Sequence, residues 1–367
     1  MTLTPETLAT NPSGPPRVSL HGIRTMAGHE FRVRLRAGRW RWLLGFWFLA
    51  LAGFTALLRW AIEATDPEGP DPGVPMFGGL MLLLLGLSLL VVPALTAQSV
   101  NGDRERGVLA TLQVTLLSPA EIALGKLLAA WGVSLVFLAT TLPLVAWAMT
   151  QGGVGIARVA VTLLVVAVLL GVVCALAQCL SALLARTMTS AVLSYLTVFV
   201  LTVGTLIVFG LSLAATTETR TVTERIPAYN EVTGEPIPGQ TRLETYTYSE
   251  VRPERVWWLL APNPFVILAD AAPRAEPRID PRTGRELPRP FDPLGEIGAG
   301  VREARDPYRP GDIVTPELSQ TPPPHQPGPV WPYGLAFHLV LGTGAVALTI
   351  RRLRTPTRNL PRGVRVA

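Results

Sequence analysis

The sequence predicts an all-α integral membrane protein with six transmembrane helices, and three observations predict it. Six stretches stay apolar over about 20 residues or more, the length a helix needs to cross a bilayer. Charged residues make up only 16% of the 367, against about 25% in soluble domains, while 49% are hydrophobic and mean hydropathy is +0.37. Outside residues 214–330 the basic residues, all arginine except Lys126, gather at one set of span ends, with only Arg59 and Arg158 at the other. A net charge of +6 and a pI near 9.9 would suggest nucleic acid in a soluble protein. Here membrane orientation accounts for the charge, and no nucleic-acid partner is expected.

Residues 1–18 are polar and proline-bearing. They lack a basic run leading into an apolar core with a cleavage site, so they read as a disordered cytoplasmic tail. Residues 19–41 are patterned as an amphipathic helix. Leu20, Ile23, Ala27, Phe31 and Leu35 share one stripe; Arg24, Arg32, Arg36 and Arg39 fall largely elsewhere; Trp40 and Trp42 stand at the boundary. Such a helix would lie in the interface with its arginines among anionic headgroups, the alternative being a plain juxtamembrane basic segment.

The first span covers about 42–62, with Arg59 and Trp60 placed to snorkel and anchor. The second, 76–100, contains Pro93, a kink site. The third, about 120–149, is longer than a bilayer requires, so its first turns should protrude. The fourth is about 158–184, the fifth about 189–213 and the sixth about 331–350, leaving a basic tail at 351–367. The span ends at Arg104, Arg106, Lys126, Arg186 and Arg351 share a side with the N-terminal arginines. That side is cytoplasmic by the positive-inside rule, so both termini should lie inside the plasma membrane and residues 214–330 outside.

Region 214–330 is proline-rich and charged. Residues 219–226 and 240–248 alternate like the strands of a β-hairpin. Residues 257–272 are an apolar island too short to span, read as a re-entrant or interfacial segment broken by Pro262 and Pro264. Residues 273–330 are expected to wander over the surface.

Residues 101–126 are the one long, charged, helix-prone segment caught between two strongly apolar ones. Asn101 and Gly102 loosen the end of the second span, and Asp103, Arg104, Glu105 and Arg106 bring mixed charge. Val108, Leu109, Leu112 and Leu116 recur at helical spacing. Ser118-Pro119-Ala120-Glu121 reads as a helix start: Ser118 can cap, Pro119 suits the first helical position and Glu121 completes a capping box. From spacing alone, a docking segment and an ordinary charged loop are equally good readings.

Residues Glu105-Arg106-Gly107, then Leu-Ser-Pro-Ala-Glu-Ile, then Gly125-Lys126 resemble the signature of ATP-binding-cassette (ABC) type-2 permeases. The matching positions are Glu105, Arg106, Gly107, Ser118, Glu121, Ile122, Gly125 and Lys126. Val108 replaces the family's Thr after the glycine, and proline stands at 119 rather than before the Leu-Ser, which bears on the turn geometry. His29-Glu30-Phe31, followed by Arg32, resembles the family's elbow-helix pattern, with His in the basic position. The resemblance implies the permease subunit of an ATP-driven exporter, working as two permeases with two ATPases. Residues 101–126, with Pro119 at the helix start, would couple the spans to the ATPase.

No G-x-x-x-x-G-K-[ST] phosphate loop is present, since Gly125-Lys126 is followed by Leu and lacks a glycine-rich approach. ATP and Mg would therefore belong to the partner, this chain binding no cofactor or metal and catalysing nothing itself. The other expected partners are a second permease copy or a paralogue and membrane lipids. Within the spans, His338 is either a functional group or a neutral histidine bonded to a neighbouring helix. Gln178, Ser181, Ser194, Tyr195 and Thr202 either line a pathway or pair between helices. Cys174 and Cys179 read as small buried apolar residues. A different-class alternative is a non-transporting anchor or sensor working through residues 214–330.

Overall fold

The computed structural model describes residues 18–36, 39–65, 67, 69–105, 107, 117–229, 235–274, 290–306 and 327–354. Arg106, the helical pattern of Val108, Leu109, Leu112 and Leu116, and most of both expected tails lie outside the described residues, as do the side chains of Leu35, Arg36 and Arg39.

The fold is mostly helical, and six helical stretches are long and apolar enough to cross a membrane: Trp40–Thr65, Gly73–Glu105, Pro119–Thr150, Ile156–Leu183, Thr187–Ala215 and Trp331–Leu353. This is the make-up of a multi-pass membrane protein. The elements run α1 (Leu20–Arg36), α2 (Arg39–Thr65), α3 (Gly73–Thr96), α4 (Asn101–Glu105), α5 (Pro119–Thr140), α6 (Leu142–Thr150), α7 (Ile156–Leu183) and α8 (Thr187–Phe199). A π-helical turn, Val200–Gly204, joins α8 to α9 (Thr205–Ala215). Then come β1 (Thr217–Tyr229), β2 (Pro236–Val251), α10 (Pro264–Ala271), α11 (Pro293–Arg305) and α12 (Trp331–Leu353).

The core lies between α3, α5 and α7. Phe77, Leu80, Leu84 and Leu85 of α3 are fully buried with Val166, Leu169 and Leu170 of α7, and Trp40 and Trp47 of α2 set their rings edge-on to Phe137 of α5, at 5.1 and 5.0 Å. The α2 and α8–α9 helices leave most of their apolar surface outside the fold.

Some expectations hold and others are corrected. The third span runs Pro119–Thr150 as expected, with a turn at Thr141, whose N–H reaches Leu138 O at 3.1 Å, between α5 and α6; Pro143, which has no N–H to continue the ladder, stands just beyond that turn. Pro93 sits inside α3 without ending it. The N-terminal amphipathic segment is not one helix over 19–41: α1 ends at Arg36 and Trp40 belongs to α2. Its apolar stripe does not form one face either. Leu20 is 86% exposed, whereas Ile23 and Met26 are buried and α1 packs along α5. Helix–helix packing thus uses a face rotated from the one the stripe predicts.

Region 214–330 is more than a loop. The predicted hairpin is present and longer than its sequence pattern, antiparallel from Thr217↔Val251 to Tyr229↔Pro236, so the chain is not all-α. Facing threonines bond across it, Thr221 to Thr247 at 3.3 Å and Thr223 to Thr245 at 3.0 Å. Within the apolar island, Pro264 takes the first position of α10 and Asn263 caps it. Part of the stretch expected to wander forms α11, started by Pro293 after Asp292.

Two small clusters mark the two ends of the helix bundle. At one end, here the motif end, Val100, Ile122, Ala123, Ala182 and Leu353 pack together. At the other, the hairpin end, Leu260, Val266, Val301 and Val330 do.

Candidate functional site

The site is built where α1, α4 and α5 meet at the motif end. Ser118 is extended (φ −71°, ψ 154°), which turns its hydroxyl onto the first turn of α5 and lets it accept the Glu121 N–H at 3.2 Å. Glu121 Oε2 accepts the Ser118 N–H at 2.6 Å, closing the box. Its other oxygen, Oε1, accepts the Ser19 N–H at 2.7 Å across 102 residues. One carboxylate therefore serves the N-termini of two helices, where the backbone dipoles favour negative charge. The close approach depends on two glycines: a Cβ at Gly22 would fall 2.6 Å from Glu121 Oε1, and one at Gly125 would fall 2.6 Å from Met26 Cβ.

Lys126, little more than a turn further along, is completely buried. Its Nζ pairs with Asp103 of α4 and, at 3.5 Å, with Glu30 Oε2 of α1. The chain's one ammonium is thus held between two carboxylates from different elements, the arrangement that makes a buried cation tolerable.

The surrounding contacts extend this junction. Ser181 Oγ of α7 accepts the N–H groups of Val100 and Asn101, both at 3.1 Å. Ser190 Oγ of α8 donates to Ala97 O at 2.9 Å, and Gln178 Nε2 donates to Ala123 O at 2.8 Å. Arg104 Nη1 reaches Asn101 Oδ1 and Leu184 O. Thr187 Oγ1, at the start of α8, donates to Glu105. Gly107 then ends α4 at φ +70°, its N–H on Arg104 O, a left-handed conformation that favours glycine.

The sequence-predicted coupling residues therefore converge in part. Glu105, Gly107, Ser118, Pro119, Glu121, Gly125 and Lys126 lie on α4, its cap and the first turns of α5. Of the elbow residues, Glu30 joins the cluster, Phe31 packs into the core beside Gly132, and Arg32 is exposed. Asp103 is the partner that sequence reading missed; its signal was an acid in the motif 23 residues before the only lysine. The arrangement ties α1, α4, α5, α7 and α8 to one another.

The candidate pathway residues each have a hydrogen-bond partner within the chain. Ser194 donates to Ser190 O, Tyr195 to Leu90 O at 3.1 Å, and His338 Nε2 meets Pro262 O at 2.7 Å. Gln178 and Tyr195 thus bond to the backbone of neighbouring helices, Ser194 bonds within its own helix, and His338 meets the turn before α10.

At the hairpin end, sequence reading missed the fastenings. The Arg158 guanidinium, buried, pairs with Asp292 at 2.5 Å. Asp270, buried, accepts the N–H groups of Val330 and Trp331, each at 2.6 Å, as well as Arg302. Asn263 Nδ2 donates to Thr202 O in the π turn at 2.7 Å and to Thr205 Oγ1 at 2.9 Å.

Comparison with protein-family models and with curated proteins gives no match for this chain.

Proposed function

We propose that this chain is the permease subunit of an ATP-driven exporter of the ABC type-2 kind, coupled through residues 101–126 to a separate ATPase. The observation that carries the reading is the junction around Glu121 and Lys126. Two of the residues that resemble the family's signature, Glu121 and Lys126, tie α5 to α1 and, through Asp103, to α4, and through Ser181 and Thr187 the tie extends to α7 and α8. In this reading the junction faces the cytoplasm, α1 acts as the elbow, and an ATPase pushing on the segment that follows Glu105 moves several spans together. A second permease copy or a paralogue completes the pathway.

The test is affinity purification from native membranes. An ABC-type ATPase should accompany the tagged wild-type chain, and its ATP hydrolysis should rise in the complex. Glu105→Ala together with Arg106→Ala should lose that ATPase while inserting in normal amount, because Glu105 is exposed and losing its bond from Thr187 costs about 1 kcal/mol. Undiminished ATPase recovery with the double variant would return 101–126 to an ordinary charged loop. The anchor or sensor reading draws on one observation, the long β1–β2 hairpin; it would gain if no ATPase accompanied the chain and a protein held by the hairpin did.

A further inference from the structure

A groove of about 390 Å³ lies between α5, α7 and α12. Trp131 and Leu128 form one wall, Gly171 and Ala175 the floor, and Leu339 and Thr343 the opposite rim. Leu128, Leu339 and Thr343 are exposed, so the groove opens sideways from the helix bundle rather than into its interior.

Its chemistry selects an alkyl occupant. No lining residue is ionisable, and the Trp131 indole N–H is already committed to Ala167 O at 2.8 Å. A buried polar ligand would lose its hydrogen bonds to water and gain almost none. A chain of methylenes fits the space instead.

The cations nearby select the headgroup. Arg351 and Arg354, both exposed, stand at the end of α12. Arg354 is eleven residues beyond Thr343, three helical turns, and so points along nearly the same direction. Arg351 lies about 18 Å along the axis from Leu339, close to the depth of one leaflet of a hydrocarbon core about 30 Å thick. A phosphate held at these arginines would run its acyl chain down to the groove.

We infer that the α5–α7–α12 groove is a binding site for one acyl chain of an anionic phospholipid, whose headgroup is held by Arg351 and Arg354. The inference rests on the membrane-spanning character of the helices and not on any ATPase, so it stands or falls separately from the exporter reading.

The test reconstitutes the purified chain alone with phosphatidylglycerol carrying a photoreactive diazirine on its acyl chain, or with phosphatidylcholine carrying the same chain, and maps the labelled residues. Phosphatidylglycerol should label the groove walls in preference to the outer faces of α2 and α8. Thr343→Trp, which fills the groove from its exposed rim, should abolish groove labelling and leave labelling of α2 and α8 intact; Leu339→Trp repeats the test from a second position should the first variant fail to insert. Arg351→Gln with Arg354→Gln, outside the apolar part of α12, should reduce phosphatidylglycerol labelling of the groove about fivefold per arginine and leave phosphatidylcholine labelling unchanged. Equal labelling by both headgroups, or labelling spread evenly over α2, α8 and the groove, overturns the proposal. So does a Thr343→Cys chain that forms a disulfide with its own copy while the groove takes no label, since a second copy would then cover it.

Discussion

The motif end and the hairpin end are both fastened by charges withdrawn from solvent, but they are fastened differently. At the motif end a single cation, Lys126, is shared by Asp103 and Glu30, and the Glu121 carboxylate bridges two helix starts. Lys126, Asp103 and Glu30 form one cluster, so each depends on the others, while Glu121 is held by backbone N–H groups. At the hairpin end Arg158 holds Asp292 and Arg302 holds Asp270 as separate pairs, and Arg305 lies over the rings of Trp257 and Tyr333 at 5.1 and 5.0 Å. A shared cluster passes the loss of one member to several elements, whereas separate pairs confine it. The coupling role proposed for the motif end would draw on the first design; holding the 214–330 region on the bundle draws on the second.

The sharpest break of this comparison is Lys126→Met against Arg158→Met. Removing Lys126 leaves two poorly solvated carboxylates facing each other, and losing one partner of a buried ion pair costs about 3–5 kcal/mol. Arg158→Met strands one carboxylate, Asp292, rather than two, so its cost should lie at the lower end of that range, about 3 kcal/mol. Unfolding midpoints of the purified variants should therefore drop further for Lys126→Met. Adding Asp103→Leu to Lys126→Met should recover part of the loss. Equal midpoints for the two single variants would show that Lys126 is not shared in any energetically meaningful way.

The same contrast explains what could be read in the sequence. Six apolar stretches, the Ser118–Glu121 box and the alternation of the hairpin are local patterns, set by neighbours within a few residues, and all six span stretches and the hairpin were legible. The chain break at Thr141 was also local, and Pro143 was its signal. At the motif end even the long-range partners were half legible, because Glu30 and Lys126 each belonged to a recognisable pattern. At the hairpin end nothing in the sequence joins Arg158 to Asp292, 134 residues away, or Asp270 to the backbone of Val330 and Trp331. Those pairings arise from packing of α10, α11 and α12. Leu20 and Ile23 show the same limit within one helix: their spacing predicted an amphipathic face but not which side α5 would take.

The helix caps extend the comparison to smaller energies. Asn263 at the hairpin end does three things. It caps α10 by accepting the Phe265 N–H at 2.9 Å, and its amide donates to both Thr202 O and Thr205 Oγ1. Asn263→Ala removes a cap worth about 1 kcal/mol and leaves two partly buried acceptors, Thr202 O and Thr205 Oγ1, without that donor, for a total of about 2 kcal/mol. The variant should also loosen the joint between α8 and α9, read as faster hydrogen exchange at residues 200–205 than in the parent.

Ser118→Ala should give the smallest effect. Ser118 at the motif end contributes one cap bond to the Glu121 N–H, and its loss costs about 1 kcal/mol. The Glu121 carboxylate keeps the backbone N–H groups of Ser118 and Ser19, neither of which needs the hydroxyl. The α1–α5 junction should therefore survive, with hydrogen exchange at Ser19 unchanged while the first turn of α5 exchanges faster. Glu121→Gln is the matching control: it keeps the shape but weakens both backbone bonds, so Ser19 should exchange faster as well. If Ser118→Ala alone released Ser19, the hydroxyl rather than the carboxylate would be what orders this junction, and the two-helix bridge assigned to Glu121 would be wrong.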